Sequence, residues 1–241
     1  MEANSTMERI IPDELNDSFG LASLQLHLER YRFAGKHISP GRVLDIACGT
    51  GYGSYLLATE YQNSISEIVA VDISIESIAY AHQRYAHPKI KFIVHDAQSF
   101  SDEDKFDSII TLETIEHLQN PSSFVSRLYN MLNVGGVLIA SAPVTPSTDI
   151  NPYHLNDFTQ NSFRDLFTPY SFIEKSVLQQ VQKISIKDMM NRKRTNRTEG
   201  VRKNLSAYYF SHPAILFARA KSLIIDGLVN KYMVLVLNKG S

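Results

Sequence analysis

A chain of 241 residues with 24 Lys+Arg, 25 Asp+Glu and a formal net charge of -1 suits one α/β domain with a sizeable core and carries no global attraction for nucleic acid or anionic membrane. Its single cysteine, Cys48, excludes an internal disulfide framework and is compatible with a reducing compartment. No apolar run approaches the roughly 18 residues of a membrane helix and residues 1–9 lack a signal-peptide h-region, so a cytoplasmic protein without a membrane partner is expected.

In chain order, residues 1–18 are polar, punctuated by Pro12, and expected to pack loosely or to order over a ligand. Leu21, Leu24, Leu28, Tyr31 and Phe33 recur near helical spacing and predict an amphipathic helix ending by Pro40. Residues 1–40 therefore read as an N-terminal helical cap. The apolar run 43–47 predicts a buried parallel strand. Gly49, Gly51 and Gly53 follow it, with Ser54 where a dinucleotide fingerprint would place its third glycine. Residues 55–59 are helix-compatible. Strand, glycine loop and helix are the layout of a nucleotide-type site at the carboxyl end of the first strand of a doubly wound sheet.

The stretch 43–54 resembles motif I of the class I S-adenosylmethionine (SAM) methyltransferases. The resemblance implies that Asp45, Ala47, Gly49, Gly51 and Tyr52 lie at a cofactor carrying an amino group and a sulfonium. Two readings of Arg30, Tyr31 and Arg32 stay open. They form a solvated face with one core aromatic, or the helix closes over the cofactor with Arg30 or Tyr31 near its carboxylate.

Residues 68–71 predict a second buried strand ending at Asp72, about 20 residues past the glycines. That spacing suits an acid accepting both ribose hydroxyls, with Ile73 beside it. A nicotinamide cofactor would want the same acid, and a plain turn or cap residue is the other reading. Ser74 is expected to cap a helix through about Tyr85, with Ile75, Ile78, Ala79 and Tyr80 packing on the sheet. The third strand, 90–94, runs into His95-Asp96-Ala97. Asp96 can accept a hydrogen bond from an adenine amino group while small Ala97 lets the ring approach; a solvated turn aspartate is the alternative.

Residues 106–112 predict a fourth strand introduced by Asp107, followed by Glu113-Thr114-Ile115-Glu116-His117-Leu118 and a helix restarting at Asn120-Pro121. This block resembles class I methyltransferases (type 11/12-like) that carry an E-x-x-E-H motif. Residues 132–140, a glycine pair entering a fifth strand, match the family's next signature. Four blocks in order, spanning roughly residues 20–180, imply an α/β, Rossmann-like, doubly wound seven-stranded sheet, mostly parallel with the last strand antiparallel. The core is placed at 41–182, a basic and helical insertion at 183–230, and the last strand within 231–241. A helix at 163–167 and a sixth strand at 172–181 precede the insertion. Lys183, Lys187, Arg192, Lys193, Arg194, Arg197, Arg202 and Lys203 open the insertion. They read as a solvated face, or as a site for phosphate, carboxylate or RNA; the insertion could equally be a lid or a homodimer surface.

Methyl transfer from a sulfonium is an in-line displacement in which the protein aligns the partners and excludes water. An oxygen acceptor also needs its proton removed by a base or its oxygen polarised by a metal. Glu113, Glu116 and His117 fall at i, i+3 and i+4 and would share a face of one helical turn. With His154 they could hold a divalent cation, as in ubiquinone-pathway and small-RNA 2′-O-methyltransferases. Otherwise Glu113 contacts the cofactor's methionine part, Glu116 caps the helix and His117 packs locally. The loop 143–159 carries N-P-Y-H-L-N-D-F from Asn151 to Phe158, a block that resembles sugar, polysaccharide and natural-product pathway methyltransferases. His154 is its candidate general base, or a structural histidine.

The reading is a SAM-dependent methyltransferase acting on oxygen or nitrogen of a small polar acceptor, with His154, Glu113 and His117 nearest the chemistry. Tyr31, Asp72, Ile73, Asp96, Ala97 and Glu113 complete the cofactor contacts. The alternatives are a metal-dependent RNA 2′-O-methyltransferase and a SAM-binding scaffold without turnover. A nicotinamide dehydrogenase fits Ser54 and the later blocks poorly.

Overall fold

A computed structural model describes residues 10–144, 154–183 and 229–240, with positions 210, 211, 213, 216, 217, 220 and 221 between them. The apolar runs become strands β1 (Gly41–Ile46), β2 (Ile65–Asp72), β3 (Ile90–Val94), β4 (Phe106–Thr111), β5 (Leu132–Pro143), β6 (Phe172–Lys183) and β7 (Val229–Lys239). They form one seven-stranded sheet in the order β3-β2-β1-β4-β5-β7-β6. β1 to β5 pair in parallel, and β7 runs antiparallel to both β5 and β6. This is the expected α/β Rossmann-like sheet with its last strand reversed.

Strands β1, β2, β4 and β5 are covered on both sides, which is why they read as continuous apolar runs rather than alternations. Leu44, Ile46, Val69 and Val71 face α4 (Pro121–Met131) and Phe163 of α5 (Gln160–Asp165). Val43, Ile68 and Ala70 face α1 (Ser18–Gly35), α2 (Tyr52–Glu60) and α3 (Ile75–Arg84). Strand order reverses between β1 and β4, so the crevice where open α/β sheets bind ligands opens at the carboxyl ends of those two strands.

Short polar side chains start α1, α3 and α4, each supplying an acceptor to an otherwise orphaned N–H. Asp17 takes Gly20 N, Ser74 takes Ser77 N, and Asn120 takes Ser123 N ahead of Pro121. Two expectations of helix phase need correction. In α3 the buried residues are Ser77, Ile78 and Ala81, while Ile75 and Ala79 are exposed. In α1 they are Arg30, Tyr31, Ala34 and Gly35, and Leu21 faces solvent. Arg30 is not part of a solvated face; it is 1% exposed.

Of the N-terminal segment, the described residues 10–17 are tied down rather than loose. Thr50 Oγ1 donates to the Ile10 carbonyl at 2.9 Å, and Asp13 accepts from Tyr80 Oη at 2.8 Å and Arg84 Nε at 3.1 Å. At the other end, β6 stops at Lys183 opposite Val229. The basic residues Lys187 to Lys203 lie outside the described residues. Among the described residues no helix is long and apolar enough to cross a membrane.

Candidate active site

The loop after β1 turns through three left-handed residues, Ala47 (φ 64°), Gly49 (φ 58°) and Gly51 (φ 84°). Two of them differ in what surrounds them. A Cβ on Gly51 would lie 2.7 Å from Ala81 Cβ and 2.8 Å from the Phe92 ring, so the loop is pressed onto α3 and β3 there. A Cβ on Gly49 would meet nothing within 4 Å. Gly49 therefore borders open space at the sheet's carboxyl edge, and α2 begins at Tyr52 with no side chain capping its N–H groups. Free N–H groups at a helix start favour an anionic or oxygen-rich ligand.

Asp45 braces this loop from beneath. It is 1% exposed, accepts from Ser54 Oγ at 2.5 Å, and has the Tyr31 hydroxyl 3.2 Å from each oxygen. Burial pushes its carboxyl up to about 6, although the hydrogen bonds from Ser54 and Tyr31 pull the other way. Tyr31, expected at the cofactor, is thus engaged with Asp45. Tyr52 meets the Tyr31 ring edge-on at 6.1 Å and pairs its hydroxyl with His27 Nδ1 at 3.1 Å. Burial and the nearby Arg30 lower His27 to about 3, so the ring is neutral.

Beyond the neighbouring strands, Asp72 accepts from Gly49 N and from Ser74 N, both at 2.9 Å. One carboxylate thus joins the glycine loop to the end of β2. Ile73 is 51% exposed beside it, an apolar side chain open to the same edge. Asp96 takes Gln98 N at 2.8 Å, and Ala97 is half-buried against the core.

Beyond β4 the motif divides. Glu113 has φ 52° and precedes the 3-10 turn Ile115–His117, so it does not share a helical face with Glu116 and His117 as expected. Ser141 holds it twice, donating Oγ to Glu113 Oε1 at 2.7 Å and accepting Glu113 N at 3.0 Å. Arg30 Nη1 lies 3.5 Å from the same Oε1.

Glu116, His117 and His154 come together, offering ligand atoms within 4.8 Å of one another. Glu113 is not among them, which corrects the four-residue set expected from sequence. The rings of His117 and His154 meet edge-on at 4.9 Å. The chain after His154 is pinned to the turn, with Leu155 N and Asn156 N donating to the Glu116 carbonyl at 2.8 and 3.0 Å. Glu116 is 1% exposed, both its carboxylate oxygens lack a hydrogen-bond partner, and His117 Nε2 stands 3.9 Å from Oε1. Burial and the nearby Glu113 raise its carboxyl well above the usual range. Asn151, Pro152 and Tyr153 of the N-P-Y-H block lie outside the described residues.

Sequence reasoning missed Ser54, Ser141 and His27 as parts of this site. Ser54 had a signal, since it follows the glycines at a helix's buried side. Ser141 and His27 had none, because their partners are distant in sequence.

Known proteins resemble this chain in sequence and fold. A methyltransferase-domain family model matches residues 39–197. A probable SAM-dependent methyltransferase of Mycolicibacterium smegmatis is 26% identical over 175 residues, covering 69% of this chain and 64% of that protein. The chain thus spans somewhat under two thirds of that relative. A ubiquinone biosynthesis O-methyltransferase of Nitrobacter winogradskyi is 32% identical over 102 residues, covering 42% of this chain and 38% of the relative. The fold is shared with the N-methyltransferase NodS of Bradyrhizobium japonicum, solved with S-adenosyl-L-homocysteine. That match has a TM-score of 0.59 and 15% identity, and covers 94% of this chain and 90% of that one. With its family model matched over residues 39–197 and the sheet order to go with it, the chain belongs to the methyltransferase-domain family.

Proposed function

We propose that this chain transfers a methyl group from SAM to an oxygen or nitrogen of a small polar acceptor, of the sugar or natural-product intermediate class. One observation carries the reading. Asp96, Asp72, the open side of Gly49 and the Glu113–Arg30 pair follow one another past the ends of β3, β2, β1 and β4, and His117 and His154 meet at the 3-10 turn that comes after Glu113 in the chain.

The residues present fit SAM. Asp72 and Asp96 accept hydrogen bonds from ribose hydroxyls and an adenine amino group, and exposed Ile73 offers an apolar face to the ring. Gly49 leaves room for close approach. Bound SAM supplies a methyl group already activated by a sulfonium, so the chain has to align the acceptor and keep water out. With SAM and acceptor bound, His154 would take the acceptor's proton at an imidazole nitrogen. His117 meets that ring edge-on at 4.9 Å. The test is methyl-labelled SAM with purified protein and fractionated extract. Label in small molecules or glycans supports the reading. SAM binding with no label transferred to any fraction would make the chain a scaffold.

A second reading adds a divalent cation, favoured by the two buried Glu116 oxygens without hydrogen-bond partners. Glu116, His117 and His154 would hold it, and it would polarise an acceptor oxygen. This is also the reading that admits an RNA 2′-hydroxyl as acceptor. Metal-free purified protein with chelator-insensitive turnover removes it, and ribonuclease-insensitive label removes the RNA acceptor.

A further inference from the structure

A line of hydrogen bonds between α1 and the β6–β7 pair ends on an unpaired oxygen. Ser23 Oγ on α1 donates to the Phe19 carbonyl at 3.0 Å. Gln182 Nε2 donates to Ser23 Oγ at 2.8 Å, Tyr232 Oη donates to Gln182 Oε1 at 3.0 Å, and Asn230 Nδ2 reaches Tyr232 Oη at 3.5 Å. The direction of each bond is set from the far end. The Phe19 carbonyl can only accept, so the Ser23 proton goes to it and Ser23 Oγ accepts from the Gln182 amide. Gln182 then turns its oxygen to Tyr232, whose proton is spent there, and Tyr232 Oη accepts from the Asn230 nitrogen. Asn230 Oδ1 is left at the end of the line. It is buried and has no hydrogen-bond partner among the described residues, and Asn230 as a whole is 9% exposed. A desolvated amide oxygen is costly unless a donor reaches it.

That oxygen lies where an acceptor would come. β5 and β6 both run antiparallel to β7, so the end of β6 and the start of β7 stand at the same carboxyl edge as the ends of β1 to β5. Gln182 and Asn230 face each other there in register. Along the edge, β7 is two strand spacings from β4, or about 10 Å. Arg30 links the two places, its guanidinium 4.2 Å over the Tyr232 ring and its Nη1 3.5 Å from Glu113 Oε1. Asp96, Asp72 and Gly49, assigned to the methyl donor, follow β3, β2 and β1 on the other side of β4.

The chemistry of the line names the group it would take. Ser23, Gln182, Tyr232 and Asn230 contribute two hydroxyls and two amides and no ionised side chain, so none of them offsets the desolvation of a charged group. Asn230 offers its oxygen as an acceptor and, on Nδ2, a second hydrogen besides the one turned to Tyr232. A hydroxyl can donate to the first or accept from the second, and two neighbouring hydroxyls on one ring do both at once.

We infer that Asn230, oriented by Tyr232, Gln182 and Ser23, reads the hydroxyls of a neutral, polyhydroxylated acceptor of the sugar class. The inference rests on the SAM reading above and narrows its acceptor. It makes this end of the edge a specificity determinant, separate from the residues that hold the methyl donor.

The test is side-chain amide NMR of the isotope-labelled full chain saturated with S-adenosyl-L-homocysteine, titrated with a panel of methyl hexopyranosides and their deoxy analogues. At least one glycoside is expected to move the Asn230 and Gln182 amide signals saturably, and to bind about tenfold more tightly than the analogue lacking the hydroxyls read. Asn230→Leu is expected to lose about tenfold in affinity for that glycoside and nothing for S-adenosyl-L-homocysteine. Signals that no glycoside moves, or a variant that binds the glycoside as wild type does, overturn the inference. Thermal unfolding of the variant reports whether it folds. If it does not, the wild-type comparison decides, and deoxy analogues that all bind as tightly as their parents overturn it. Wild-type protein that binds no S-adenosyl-L-homocysteine would instead bring down the SAM reading, and this inference with it.

Discussion

The Tyr31 ring occupies the space that a side chain on Gly53 would need. A Cβ on Gly53 would stand 2.0 Å from Tyr31 Cζ, and Tyr31 is itself 4% exposed. α1 therefore reaches α2 at a residue that must be glycine, and the contact sets the Tyr31 hydroxyl over Asp45. Gly53→Ala is expected to destabilise the fold by about 1–3 kcal/mol through overpacking. The loss should appear in urea denaturation together with faster proteolysis within α1. Unchanged stability would mean that α1 docks elsewhere.

Gly49 and Gly51 should separate binding from folding. Gly49→Ala puts a methyl into open space at a left-handed residue, so backbone strain costs about 1–2 kcal/mol. The methyl also enters the space assigned to the cofactor, and loss of SAM binding should exceed the loss of stability. Gly51→Ala drives a methyl against Ala81 and Phe92, and the larger loss should be in stability. Calorimetric binding and chemical denaturation of the two variants check the contrast. Equal effects at both positions would remove Gly49 from the cofactor site.

Asp45 and His27 should give the stability curve two opposing slopes. Asp45 is raised from 3.8 to about 6 by burial, so the folded state binds its proton more tightly than the unfolded chain does. Its contribution is present below about pH 4 and is lost as pH rises toward 6, on the order of 3 kcal/mol over about two units. His27 is lowered from 6.5 to about 3 by burial and then by Arg30. Its contribution is complete above about pH 6.5 and is lost as pH falls toward 3. Between pH 4 and 6 the two slopes oppose each other. Asp45→Asn should steepen the acid-side loss, and His27→Gln should expose a decline with rising pH. Urea denaturation from pH 4 to 7 measures both, and profiles identical to wild type would refute the assignment.

His154→Ala should keep affinity for S-adenosyl-L-homocysteine while turnover falls about 100-fold to 10,000-fold, the range for losing a general base. Single-turnover kinetics beside calorimetry reads the two quantities separately. Turnover near the wild-type rate would take His154 out of the mechanism.

Most of the sheet was legible because its central strands are buried on both faces, so 43–47 and 68–71 stand out as apolar runs, while 132–140 was marked by its glycine pair. Asp72, Asp96 and the glycine loop were legible because each directly follows or ends its strand. What sequence could not show depended on contacts far along the chain. Arg30 sits among Glu29, Tyr31 and Arg32 and looks solvated until Gln180 and Tyr232 arrive from β6 and β7. Glu113 looked like part of a helical turn, but its left-handed backbone breaks that turn and sends it to Arg30 rather than to Glu116. In α3, Ser77 and Ala81 are small enough to pack on the sheet, and Ile75 is left outside.

Because Lys183 and Val229 face each other as the last paired residues of β6 and β7, everything between them hangs from two adjacent points. Its length can change without shifting any hydrogen-bonded register in the sheet, and each doubling adds only about 0.6 kcal/mol of closure entropy. That doorway opens on the same edge as Pro143, which pairs with Tyr232 at the end of β5. Insertion or deletion between Lys183 and Val229 therefore leaves the loops that follow β1, β2, β3 and β4 as they stand.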